Sequence, residues 1–300
     1  MKEITYTFII PHHNCPDLLD RCLSSIPQRD DIQIVVVDDN SDADKKPIEC
    51  GRPEVEYVYI DKKDTKGAGK ARNIGLSKAK GKWLLFADAD DKYINNFINT
   101  LDEYKNSDLD ILYFNSDYID SITDEIIPDS EYNKMISNYN DSLKYLDRIK
   151  FCNYPPWNKM FLREFVLKNN IYFEEVPNGN DILFSVLAGY YAKKIHIDKR
   201  VVYLYYRHTN STIYNGSKSV SLILCKIEHR MKLRSFYNYL GHKDYKVNIL
   251  KYLVYLSISS PLLLTCKLLF NLIIKFPSIY IRRNEWTEIV SASDYKNKNI

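Results

Sequence analysis

The sequence is short of several things. Only nine of its 300 residues are glycine, and none of them form G-x-G-x-x-G after the first strand-like run, where the chain reads PHHNCP. A dinucleotide-binding dehydrogenase needs that glycine loop to bring backbone close to a pyrophosphate, so that class is disfavoured. The GAG at 67–69 is not followed by G-K-[ST], which disfavours an ATPase P-loop. The six cysteines are scattered with no C-x-x-C pair, against a zinc ribbon or a disulfide framework and in keeping with a reducing cytosol. Net charge is only +3, too little to argue for nucleic acid as a partner. The N-terminal apolar run stops at Pro11, too soon for a signal peptide. Internal repeats and low-complexity segments are absent.

Long uncharged apolar runs are also missing. The longest, 252–266, is interrupted by Pro261 and ends at Lys267, short of the roughly 20 residues a membrane span needs. Drawing Lys267 into a span would cost about 2.5–3.5 kcal/mol or more. Residues 217–300 therefore read as a helical C-terminal region, with 221–240 its most periodic part. It either packs as a plain subdomain, dimerises, or lies on a membrane surface through the apolar, Lys/Arg-flanked stretch 247–283.

What is present is a core. At 45% hydrophobic and 27% charged residues the chain folds rather than staying disordered. Residues 5–10, 32–39, 55–61, 82–88, 109–119 and 200–207 read as strands, and 15–26, 67–81, 94–106 and 180–195 as helices. A further helix is expected after Trp157, within 155–170. Continuous apolar strands alternating with helices predict an α/β fold: an open, mostly parallel sheet flanked by helices. Ligands of such sheets sit at the carboxyl ends of the strands. That marks Pro11–Asn14, Asp38–Asn40 and Asp88–Asp91 as one rim.

The pattern D-x-D occurs three times, at 42–44, 88–90 and 108–110. Only Asp88-Ala89-Asp90 follows an apolar strand on the expected rim. Two carboxylates there can hold a divalent cation with phosphate oxygens and water, or form a solvated turn.

With these pieces in order, residues 4–214 resemble the family 2 inverting glycosyltransferases of the GT-A fold. The matching segments are FIIPHHN, VVVDDNSDAD, GAGKARNIGL, WLLFADADD, WNKMFLREFVLKNNIYFEE, NGNDILFS and YYRHTNST. The resemblance implies a GT-A domain over 1–216. It implies transfer of a sugar from a nucleotide-diphosphate donor, a UDP-sugar, to a saccharide or lipid-linked acceptor, in cell-surface polysaccharide synthesis. It implies a divalent metal, Mn²⁺ or Mg²⁺, and a cytoplasmic location, at the inner face of the plasma membrane. Pro11, Asp39, Arg72 and Asp88 fall where the family holds the nucleotide, Asp90 where it holds the metal, and Asp181 where the catalytic base sits. The chain departs from the pattern at Asn180, where a Glu often stands, and at His12 and His13. It has no Q-x-x-R-W signature of processive synthesis.

Each of these residues also has a plainer reading. Asp181 suits a helix N-cap. His208 completes a metal shell or is structural. Trp157 stacks on an acceptor sugar or fills the core, and Asn180 contacts the acceptor. A catalytically inactive nucleotide-sugar-binding protein is the alternative to an enzyme. A nucleotidyltransferase is disfavoured, because it needs a glycine-rich, Arg/Lys-bearing loop where PHHNCP stands.

Overall fold

The computed structural model describes residues 3–64, 67–128, 131–208 and 220–241. The chain divides into two compact units, Met1–Thr209 and Asn210–Ile300. The first holds one eight-stranded sheet. Its strands are β1 (Tyr6–His12), β2 (Ile32–Asp38), β3 (Val55–Tyr59), β4 (Trp83–Phe86), β5 (Lys92–Tyr93), β6 (Ile111–Asp120), β7 (Lys159–Leu162) and β8 (Ile195–Arg207), in the order β3-β2-β1-β4-β7-β6-β8-β5.

The first four strands in that order are all parallel. The other half is mixed: β7 runs antiparallel to both β4 and β6, β6 and β8 are parallel, and β5 is antiparallel to β8. Every residue of β2 is buried and nearly every one of β1, as central parallel strands covered on both faces must be. Helix α1 (Pro16–Ser25) starts with Pro16 in its first turn and buries Leu19, Cys22 and Leu23 at helical spacing. Helix α2 (Ala68–Lys78) crosses β1 so closely that a Cβ at Gly75 would collide with the Ile9 side chain. Helices α3 (Phe97–Asp102), α4 (Glu131–Ser137), α5 (Leu143–Cys152), α6 (Arg163–Lys168) and α7 (Asn180–Tyr191) complete the unit.

The helix expected after Trp157 forms as α6, beginning at Arg163, and Lys159–Leu162 before it makes a strand the sequence did not mark, β7, between β4 and β6. The expected helix at 94–106 contracts to six residues. The strand expected at 200–207 starts five residues earlier.

Helix α7 is bolted to the sheet by rings. Phe184 stacks on Phe173 at 3.9 Å and meets Phe86 and Phe161 edge-on at 5.4 and 5.3 Å. Each buried ring stabilises the fold by about 1.5–3 kcal/mol, and each aromatic pair adds about 0.5–1.5 kcal/mol. The start of α7 is thereby fixed against β4, whose carboxyl end carries the aspartates.

In the second unit, helix α8 (Val220–Leu240) buries Ile223, Ile227, Leu233, Phe236 and Tyr237, matching the expected periodic helix. The apolar stretch 247–283 lies outside the described residues. No helix among the described residues is long and apolar enough to cross a membrane.

Candidate active site

The expected rim assembles. Parallel registry sets His12 beside Asp38 and Ile9 beside Phe86, so the ends of β1, β2 and β4 open at the same level. His12 is buried: its Nε2 accepts the Cys15 N–H at 3.3 Å, so Nδ1 carries the proton given to Asp38 Oδ1 at 2.8 Å. Asp38 also accepts the Ser41 N–H at 3.1 Å and the Ser41 hydroxyl. This aspartate is thereby spent on holding the two strand ends together, which explains a histidine directly after Pro11. Its neighbour Asp39 differs. It is 6% exposed, takes the Gly67 N–H on Oδ2 at 2.8 Å, and leaves Oδ1 buried with no partner. A buried carboxylate oxygen without a donor is costly unless a ligand supplies one. Gly67 offers its N–H from a left-handed conformation, φ 80°, where a side chain would be strained.

Arg72, on α2, is 5% exposed and forms a bracket. Its Nη1 donates to Asn180 Oδ1 at 2.6 Å, its Nη2 donates to Asp88, and Nε is buried without a partner. The guanidinium lies over the Phe173 ring at 5.3 Å. One side chain thus ties the end of β4 to the start of α7.

The turn after β4 is anchored from β8, three strands away in the sheet. The Asp88 N–H donates to the Tyr203 hydroxyl at 2.9 Å, and that hydroxyl donates to Asp91 Oδ2 at 2.9 Å. Asp91 Oδ1 accepts the Tyr206 N–H at 2.7 Å, and the residue is fully buried. Burial above all, then the charges of Asp90 and Asp88, pushes Asp91 far above the usual carboxylate range. Arg21, on α1, donates to the Asp90 carbonyl and lies over the Tyr206 ring at 3.9 Å. The Asp90 carboxyl is also raised, by burial and by Asp88, with His208 and Arg21 opposing. His208 Nε2 is 3.7 Å from Asp90 Oδ2 and makes no hydrogen bond. No group of three or more His, Cys, Asp or Glu side chains placed to hold a metal occurs among the described residues.

Asp181 does not cap α7. Gly179 is the N-cap, at φ 71°, and no side-chain cap forms. The Asp181 carboxyl is raised by burial, and by Asp88 in lesser degree; Arg72, its own backbone N–H and Lys159 pull it down. Trp157 is a core residue. It is 5% exposed and stacks on Tyr203 at 4.9 Å and Tyr205 at 5.6 Å, so its rings are already covered and a sugar has almost no face to meet. Asn180 is 8% exposed with its oxygen given to Arg72. Sequence reasoning missed Arg21 and Tyr203. It placed Asp91 on the rim but not its structural role, because its partners lie more than a hundred residues away.

The model of glycosyl transferase family 2 matches residues 7–168, more than half of the chain. The chain belongs to this family. It is thus a glycosyltransferase, and curated relatives agree in kind. The transferase is 24% identical over 250 residues to the uncharacterized glycosyltransferase EpsJ of Bacillus subtilis, covering 78% of this chain and 70% of that one. It is 26% identical over 213 residues to the poly(ribitol-phosphate) beta-N-acetylglucosaminyltransferase TarS of Staphylococcus aureus, covering 67% of this chain but 35% of TarS. The crystal structure of S. aureus TarS 1–349 in complex with UDP-GlcNAc superposes with a TM-score of 0.60 at 18% identity, over 94% of this chain and 78% of that one. That likeness shows the fold, which is of the GT-A type.

Proposed function

We propose that this enzyme transfers a sugar, with inversion, from a UDP-sugar to a hydroxyl of a saccharide or lipid-linked acceptor in cell-surface polysaccharide synthesis. It would act from the cytoplasmic side, at the inner face of the plasma membrane. The observation that carries the reading is the Arg72 bracket. It sets the residue before Asp181 and the first aspartate of the D-A-D turn on the two hands of one guanidinium. A base and a donor-side carboxylate pair are then neighbours, as a single in-line displacement requires.

In this reading the open Oδ1 of Asp39 accepts a donor N–H or hydroxyl of the nucleoside, beside Pro11 at the end of β1. Arg72 has N–H donors left for the nucleotide, its unpartnered Nε–H among them, and Asp88 frames the ribose side. Asp181 takes the proton of the attacking hydroxyl, because an alcohol is a poor nucleophile at neutral pH. Its raised carboxyl makes it a stronger base than an ordinary aspartate. Asn180, its oxygen committed to Arg72, has its amide N–H₂ for the acceptor. Asp90 and His208 would hold Mn²⁺ or Mg²⁺. Two observations support the fit: an unpartnered imidazole nitrogen facing a carboxylate, and an Asp90 carboxyl raised by burial and then by the Asp88 charge, both of which a cation would offset. With two protein ligands, diphosphate and water oxygens would complete the shell. Such an ion supplies Lewis-acid stabilisation of the leaving diphosphate.

UDP names in the relatives' structures support the choice of nucleotide. The test is thermal stabilisation by UDP, GDP, CMP and dTDP, each with and without Mn²⁺. At a hundred times its dissociation constant a ligand adds about 2.7 kcal/mol. The expected result is a shift for UDP that depends on Mn²⁺ and disappears in Asp90→Asn. No shift with any nucleotide would remove the reading.

A further inference from the structure

Arg21 has no task in the transfer reaction above, yet it touches both segments of chain that carry Asp90 and His208. It lies on α1, one helical turn before Ser25, so the two side chains share a face. Both meet the chain at the D-A-D-D turn. Ser25 Oγ accepts the Tyr93 N–H at 3.1 Å, and Arg21 Nη2 donates to the Asp90 carbonyl. The same guanidinium lies over the Tyr206 ring, 3.9 Å from its centroid, and Lys92 Nζ lies over that ring at 5.4 Å. Tyr206 is buried, and its N–H is the one given to Asp91 Oδ1 at 2.7 Å. The end of β8 is thus held twice, by Asp91 at its main chain and by Arg21 at a ring. His208 follows two residues later, with its Nε2 3.7 Å from Asp90 Oδ2.

Both contacts use properties peculiar to arginine. A guanidinium is planar, so an N–H can donate within the plane while the face lies on a ring. An ammonium keeps the charge but has no plane to lay on the ring while it donates to the carbonyl. The arrangement also carries a cost: Arg21 Nε is buried with no partner. A buried N–H left unpaired lowers stability, so Arg21 is a poor choice if its only work is to hold the fold. What it joins is specific. One partner is the main chain of Asp90 itself, and the other is the ring just ahead of His208.

We propose that Arg21 is a positioning residue for the metal site: by tying the Asp90 main chain to the Tyr206 ring, it keeps the Asp90 carboxyl and the His208 imidazole facing each other for one divalent cation. The proposal rests on Asp90 and His208 holding that cation, and the experiment separates the two. UDP affinity of the full chain is measured by calorimetry in excess Mn²⁺ and in EDTA; the ratio is the gain due to metal. Pulsed EPR of the Mn²⁺ complex reads the ¹⁴N coupling of an imidazole ligand, assigned to His208 by its loss in His208→Ala. Arg21→Lys, which keeps the charge, is expected to cut the metal gain by about tenfold and to weaken the ¹⁴N coupling, with UDP affinity in EDTA unchanged. Tyr206→Leu, which keeps the N–H to Asp91, is expected to do the same, and Tyr206→Phe, which keeps the ring, to bind as the wild type does. The Tyr206 pair carries the test if Arg21→Lys does not fold. A metal gain and ¹⁴N coupling unchanged in Arg21→Lys and Tyr206→Leu, with only Tm falling, overturn the positioning role and leave Arg21 a clamp of the fold. A wild type with no metal gain, or a gain that survives Asp90→Asn, overturns the metal reading of Asp90, and the positioning role with it.

Discussion

The two halves of the sheet each bury an aspartate at a strand end, and they treat it differently. At the end of β2, in the parallel half, Asp39 gives one oxygen to the Gly67 N–H and keeps the other empty. Just before β5, in the mixed half, Asp91 has both oxygens taken, by the Tyr203 hydroxyl and the Tyr206 N–H. Burial is similar, 6% and 0% exposed, so what distinguishes the two is the count of filled hydrogen-bond positions. Asp91 holds the chain with both oxygens; the open oxygen of Asp39 is the one the proposed function gives to the nucleoside. The same contrast runs through Asp38 and Asp39, adjacent in sequence and opposite in employment.

Three substitutions and a pH series probe this division, in falling order of effect. Asp181→Asn removes the proposed base and should lower kcat by about 10²–10⁴-fold, with UDP affinity by calorimetry unchanged; full activity would take Asp181 out of the reaction. Asp91→Ala strands a buried N–H and a buried hydroxyl, each worth about 1–3 kcal/mol, so urea unfolding should show a loss of several kcal/mol. If Asp91→Ala were neutral in stability, filled positions would not mark structure. Asp39→Asn can keep the Gly67 bond while turning the open acceptor into a donor. UDP binding should weaken by about 1–3 kcal/mol, roughly 5- to 150-fold, while Tm hardly changes; a large fall in Tm with binding intact would reverse the assignment.

The smallest effect concerns pH. The Asp181 carboxyl is raised in the folded protein, so the native state binds its proton more tightly than the unfolded chain does. Its contribution to stability is fully present below the unfolded value, about 4, and is lost as pH rises through the higher native value. Asp181→Asn should therefore melt above the wild type at neutral pH, and the gap should close as pH falls toward 4. A constant gap across that range would mean the carboxyl is not raised.

The parallel half of the fold and its rim were legible because the signals are local. Buried parallel strands are continuous apolar runs, and their carboxyl ends can be read directly. Pro11, Asp38, Asp39, Asp88 and Asp90 stand at such ends in the sequence pattern itself. The mixed half was less legible. Four residues, Lys159–Leu162, make β7 only because β4 and β6 are on either side; in isolation Trp157, Met160, Phe161 and Phe165 fit a helix as well as a strand. Trp157 could not be assigned to the core without Tyr203 and Tyr205, nor Asn180 to Arg72, which is 108 residues earlier. What sequence could not convey was pairing over long separations, and with it the difference between a filled carboxylate and an open one.

The Tyr203 hydroxyl has a consequence for the order in which the enzyme becomes competent. Asp91 precedes Tyr203 by 112 residues and Tyr206 by 115. During synthesis the aspartate turn emerges long before the strand that locks it. Until β8 arrives, three carboxylates stand together with neither of those partners, and repulsion keeps them in water. Contacts of such separation close late, so the D-A-D-D turn is among the last parts of the domain to set. A nascent chain released before Tyr206 would carry every aspartate of that turn and still lack a group that fixes it.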